Sequence, residues 1–139
     1  MGDDIMLVRK RREGGESATE FAVMVMAILL MFLGMLQIGS FLWASAMVEN
    51  AANYGARAGS VAQSGGAGIA RSAALESLSG APLISNPSVQ ILAPGGVVGS
   101  MVKIRVSAEI PLFMPAGDTF GLDALTQVKA EATFRQEGW

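Results

Sequence analysis

The chain contains no cysteine and no histidine among its 139 residues. Without thiols there is no disulfide, no thiolate nucleophile and no cysteine for lipid attachment. Without imidazole, the commonest metal ligand and the general base that titrates near neutrality are missing too. Charge is scarce: Asp, Glu, Lys and Arg make up 16% of the residues, against about 25% in an ordinary soluble domain. Ten Lys+Arg against twelve Asp+Glu give a formal net charge of −2, which is not the basic footprint of a nucleic-acid binder. The acids Glu49, Glu76, Glu109, Asp118, Glu131 and Glu137 fall on amphipathic faces, strand exteriors or loops. No carboxylate pair or Ser/Lys pair stands out among them, so neither an enzyme nor a cofactor is expected. Asp118 and Asp123, five residues apart, are far from the oxygen cage calcium needs, and no metal is expected.

What the chain has in quantity is apolar surface, with 51% hydrophobic residues and a mean hydropathy of +0.43. It is concentrated in FAVMVMAILLMFLGMLQIGSFLW, residues 21–43, where Gln37 and Ser40 are the only polar side chains. At about 1.5 Å per residue such a helix reaches about 34 Å, enough for a hydrocarbon core of about 30 Å. Trp43 closes the run where an interfacial aromatic belongs. A soluble core helix is seldom apolar all round for six turns, so a membrane span is expected over 21–43. Ahead of it stand Arg9, Lys10, Arg11 and Arg12, followed by Gly14-Gly15, a flexible pair expected to be non-helical. Basic residues stay on the cytoplasmic side. The amino end, residues 1–15, is therefore expected inside, with residues 44–139 translocated and held together by packing alone.

Beyond Trp43 the helix is expected to continue, as one rod from about residue 18 to 62. Met47, Ala51, Tyr54, Ala58 and Val61 form an apolar stripe, and Glu49, Asn53 and Arg57 line another face. Gly55 and Gly59 weaken this helix by roughly 1 kcal/mol each unless close packing requires them. Ser64-Gly65-Gly66-Ala67-Gly68 breaks it, and Ile69–Leu78 reads as a short Ala-rich helix ended by Ser79-Gly80 and Pro82. The period then changes to two. Val102, Ile104, Val106, Ala108 and Ile110 alternate with polar residues, as do Val128, Ala130, Ala132 and Phe134; Ser88–Leu92 is a weaker third strand. The fold class is α+β: a long helix, half membrane-spanning and half amphipathic, packed on a short helix and a small antiparallel sheet of about three strands. The connection 111–125 is long and apolar, with Leu112, Phe113, Met114, Phe120, Leu122 and Leu125. It either packs on its own body or meets a partner or the membrane surface.

The junction GGESATEFAVMVMAILL resembles the processing site of type IV pilin-like proteins. The resemblance implies cleavage by a membrane-bound prepilin peptidase after Gly15, with Glu16 as the new amino terminus. Glu20 becomes the fifth mature residue and the partner of a neighbouring subunit's amino group. An ionisable side chain at the mouth of a lipid-embedded helix is costly enough to need such a partner. Glu16 departs from the Phe or Met that classical type IV pilins favour there.

Within that class the chain looks like the TadE-like minor pilins, or pseudopilins, of the Tad (tight adherence) Flp pilus system. WASAMVENAANYGARAGSVA, with its Gly55-Ala56-Arg57 element, is similar to the post-membrane segment of that family. VKIRVSAEIPL and LTQVKAEATFRQE, flanking a Pro-containing apolar loop, resemble its carboxyl end. The size suits TadE-like and TadF-like proteins better than the shorter major Flp pilins or the larger TadG-like proteins. The organisation implied is a cytoplasmic leader 1–15 that is removed, a helix 16–62 with its span at 21–43, and a periplasmic α+β domain 63–139. The implied role is support of pilus initiation or assembly for surface adhesion. Its implied partners are the prepilin peptidase, other minor pilins, the major Flp pilin, the inner-membrane assembly platform and the lipid bilayer.

Two other readings compete. Ala44-Ser45-Ala46 is an A-x-A triplet at which signal peptidase would release a chain starting at Met47, but a signal peptide has about 7–15 apolar residues before its cut. The other is an uncut single-span anchor with a periplasmic partner-binding domain unrelated to pili.

Overall fold

The computed structural model describes residues 2–113, 119 and 121–137, with side chains from Gly15 onward. In chain order it contains helix α1 (Gly2–Ser60), helix α2 (Gly66–Leu78), strand β1 (Ser85–Pro94), strand β2 (Met101–Glu109), a 3-10 turn (Leu122–Leu125) and strand β3 (Gln127–Arg135). The class is α+β, one long helix with a short helix and a three-stranded antiparallel sheet in the order β1-β2-β3. The side chains of Arg9, Lys10, Arg11 and Arg12 lie outside the described residues, as do Met114, Asp118 and Phe120 of the 111–125 connection.

α1 is longer than the expected rod. It starts at Gly2 and runs through Gly14-Gly15 without a break, which corrects the expectation of a non-helical pair. Each glycine costs about 1 kcal/mol relative to alanine. Starting a second helix beyond the pair would repeat the unfavourable nucleation step, so propagation through it is the cheaper path.

The chain divides into two compact units, Met1–Leu36 and Gln37–Trp139. The described part of the first unit is helix α1 alone. The second contains the rest of α1, α2 and the sheet. Its core is assembled from small side chains on the helices and β-branched ones on the sheet: Ala44, Val48, Ala51, Ala52, Ala56, Ala70 and Ala74 meet Val102, Ile104 and Val106, all fully buried.

That core rotates the buried face of α1 away from the expected stripe. Ala51 is buried and Met47 packs at the margin, but Tyr54 is 59% exposed and Val61 also faces out. The face turned inward is Ala44, Val48, Ala51-Ala52, Gly55-Ala56 and Gly59-Ser60. The reason is proximity to α2. A Cβ built on Gly55 would lie 2.6 Å from the Ala70 carbonyl oxygen and 2.7 Å from the Ala74 Cβ. One built on Gly59 would lie 2.7 Å from both the Gly66 carbonyl oxygen and the Ala70 Cβ. Close packing therefore does require these glycines, and a larger apolar residue cannot take the inward place. Glu49, Asn53 and Arg57 stay on the exposed face as expected.

In the sheet, the period-two pattern places Val102, Ile104, Val106 and Ala108 of β2 and Val128 and Ala132 of β3 inward. β1 extends beyond the expected Ser88–Leu92 at both ends, because its pairing with β2 continues through Ser85↔Glu109 and Pro94↔Val102. On the solvent face Arg105 stands opposite Glu131 and donates to it through Nε at 2.7 Å, and Lys103 Nζ approaches the other carboxylate oxygen at 2.8 Å. Hydrogen bonds from Lys103 and then Arg105 hold the Glu131 carboxyl below the usual carboxylate range.

Candidate functional site

The features singled out in the sequence lie along α1. Gly15 is exposed, with no atom within 4 Å of the position a Cβ would take. Its carbonyl accepts a hydrogen bond from the Thr19 hydroxyl at 2.9 Å, so the backbone carbonyl before Glu16 is held in helical geometry. Glu16 and Glu20 are four residues apart and both exposed, which puts two carboxylates on one helix face, a mildly repulsive pair. Among the described residues none forms an ion pair with Glu20.

After Glu20 the surface becomes apolar. From Phe21 to Leu36 nearly every large hydrophobic side chain is exposed, Phe21 to 67% and Met26 to 63%. The helix is long and apolar enough to cross a membrane, and only 6% of its most apolar 18-residue window is buried by the protein itself. A core helix of a soluble domain would be mostly covered; this one presents its side chains outward. One face carries Thr19, Ala22, Val23, Met26, Ala27 and Leu30 as a shallow stripe. Small residues at helical spacing let a second helix approach closely in a lipid environment.

The run changes character at Gln37, which sequence reasoning noted only as a polar exception. It is 1% exposed and fully hydrogen-bonded to the chain's own backbone. Its Nε2 donates to the Leu125 carbonyl at 3.3 Å, and its Oε1 accepts from the Phe113 amide at 2.9 Å. One side chain thus holds both ends of the 111–125 connection.

A second glutamine was missed altogether. Gln136, 8% exposed, donates from Nε2 to the Ala62 carbonyl at 2.8 Å and accepts from the Gly96 amide at 3.4 Å. Its backbone amide donates to Ser100 and its carbonyl accepts from Gly99. Gly95, at φ 68°, lies so close that a Cβ there would sit 2.6 Å from Gln136 Oε1. A glycine doublet before an exposed Val97-Val98 tip was the one available hint. Nothing in a linear sequence ties it to a glutamine 40 positions away.

Comparison with known proteins converges on the same stretch. Residues 15–57 match the family described as TadE-like protein. No curated protein and no solved structure matches the chain.

Proposed function

Since residues 15–57 are TadE-like and TadE-like proteins are components of the Tad pilus machinery, we propose that this chain is a minor pilin-like subunit that supports initiation or assembly of the pilus. The observation that carries the reading is the junction at which that match begins: Gly15, four residues, then Glu20 and Phe21 at the mouth of an exposed apolar helix. In this proposal a prepilin peptidase cleaves after Gly15 and Glu16 becomes the mature terminus. Its partners are other minor pilins, the major Flp pilin, the assembly platform and the inner membrane. The protein catalyses nothing; it acts by lateral association of α1. The carboxyl part lies on the periplasmic side, opposite the basic cluster Arg9–Arg12.

The deciding residue is Glu20. As an ordinary first-turn acid it would gain only about 0.3–1 kcal/mol from the helix dipole, and Glu20→Gln would change little. As the counter-charge of a neighbouring subunit's amino group in a low-dielectric setting, its loss leaves a charge unpaired, at a cost of about 3–5 kcal/mol. The Glu20→Gln protein is expected to be inserted and processed but to fall out of the pilus fraction on co-purification. Wild-type co-purification and piliation would reduce Glu20 to a helix-start residue and favour an unprocessed membrane anchor.

A further inference from the structure

The three-stranded sheet has two edges, and they differ. β1 is blunted: Pro87 and Pro94 lack an amide hydrogen, and two register shifts interrupt its pairing with β2. β3 is straight. Its nine residues contain no proline and pair with β2 without a shift, from Gln127↔Glu109 to Arg135↔Met101.

The register shows which backbone groups this leaves open. The Ile110 amide donates to the Thr126 carbonyl and the Gln136 amide to the Ser100 carbonyl, so the even-numbered residues of β3 turn their N–H and C=O toward β2. The backbone groups of Gln127, Lys129, Glu131, Thr133 and Arg135 point the other way. They have no partner among the described residues. The next amide in the series, that of Glu137, is taken by the Ser60 carbonyl and closes that end. An open ladder of this kind is a template for a further strand.

We propose that the free edge of β3 takes up an extended strand of a partner protein, one with carboxylates opposite Lys129 and Arg135 on the solvent face and apolar side chains against Ala130 and Phe134 on the core face. The proposal does not depend on the pilin reading.

Charge selects the solvent-side chemistry. Glu131 is already engaged by Lys103 and Arg105, whereas Lys129 and Arg135 form no ion pair among the described residues. The edge is therefore cationic at two points on one face, about 20 Å apart at ~3.4 Å per residue. Such cations ward off indiscriminate pairing and favour a strand that brings acids. Packing selects the other side. Val128 and Ala132 are buried, but Ala130 and Phe134 are only half-buried at the margin of the core, where an added strand would complete the cover. A second copy fits less well. Its β1 edge lacks two amides, and its β3 would bring two more cations to the seam with the strand's one carboxylate already engaged.

The full chain in uncharged detergent micelles is titrated into fluorescent peptides the length of β3 that alternate valine with threonine. One peptide carries glutamates opposite Lys129 and Arg135 in an antiparallel register; the other has lysines there. Anisotropy is expected to show about tenfold tighter binding of the glutamate peptide. The double variant Lys129→Glu, Arg135→Glu should reverse that preference. Thr133→Pro removes one outward amide without touching the ladder to β2, and should weaken the glutamate peptide about tenfold with the denaturant midpoint held. If that variant unfolds, the reversal by the double variant decides. Failure of the glutamate peptide to bind, equal binding of both peptides, or binding that survives Thr133→Pro in a folded protein overturns the proposal. So does a wild-type dimer in sedimentation that Thr133→Pro renders monomeric, since the occupant is then a second copy.

Discussion

Side-chain identity matters most where a residue stands against the chemistry of its neighbours. Gln37 and Gln136 are buried amides in a chain that is half hydrophobic, and both are satisfied by backbone groups far away in sequence. A buried amide left unpaired would cost about 1–3 kcal/mol, so each glutamine fixes the loop it bonds as firmly as it is itself fixed. Gly15 stands against its neighbours in another way. It lies mid-helix, yet a protease cleft takes its substrate extended, so cleavage requires local unwinding. Glycine lowers the cost of that unwinding by about 1 kcal/mol relative to alanine and leaves the cleft unobstructed. Gly15→Val is accordingly expected to remain at full length beside an active prepilin peptidase, whereas the wild type yields a mature chain starting at Glu16. Intact mass distinguishes this from a start at Met47; normal processing of the valine variant would contradict the assigned cut.

At the scale of the element, α1 and α2 are set by what they lack. Helix propensity alone says that Gly55→Ala gains about 1 kcal/mol. The packing says otherwise, because the new Cβ would meet the backbone oxygen of Ala70 at 2.6 Å, and backbone cannot turn aside as a flexible side chain would. Overpacking of this kind typically costs about 1–3 kcal/mol, so Gly55→Ala should lower the stability of the second unit, measured by denaturant unfolding in detergent micelles. A neutral or stabilised variant would mean that the two helices do not approach as described. The same pair of helices shows what periodicity can and cannot reveal. Strands β2 and β3 were legible because alternation of Val and Ile with Lys, Arg and Glu has one phase only. The phase of the α1 stripe was misread. Large apolar residues such as Tyr54 mark a core face only when there is room for them, and here proximity to α2 selected Gly and Ala instead. The apolar run of α1 and the Gly15–Glu20 junction at which the family match begins were readable because they are contiguous in sequence. The Gln37 and Gln136 bonds were not, since they join positions 40 to 88 residues apart.

For the molecule as a whole, the distribution of charge along the chain bears on the proposed topology. Four consecutive basic residues precede the apolar run, and no comparable cluster follows it. Under the positive-inside rule the proposed orientation keeps the amino end in the cytoplasm. A reporter that is active only in the periplasm, fused to the carboxyl terminus, should therefore be active; an inactive fusion of a protein shown to be present would reverse the orientation and exclude pilin-like processing with it.

The order of the sheet has a bearing on the birth of the protein. β1, β2 and β3 pair as a meander, so each strand meets a neighbour already made, and the sheet can grow as the chain is synthesised. Closure cannot. The Leu125 carbonyl that engages Gln37, the Gln136 side chain that reaches Ala62 and the Glu137 amide that bonds Ser60 all come after β2 in the chain. A nascent chain stalled before Leu125 therefore has β1 and β2 and none of these ties. Nicks within residues 125–137 therefore fall on the stitches rather than on loose thread.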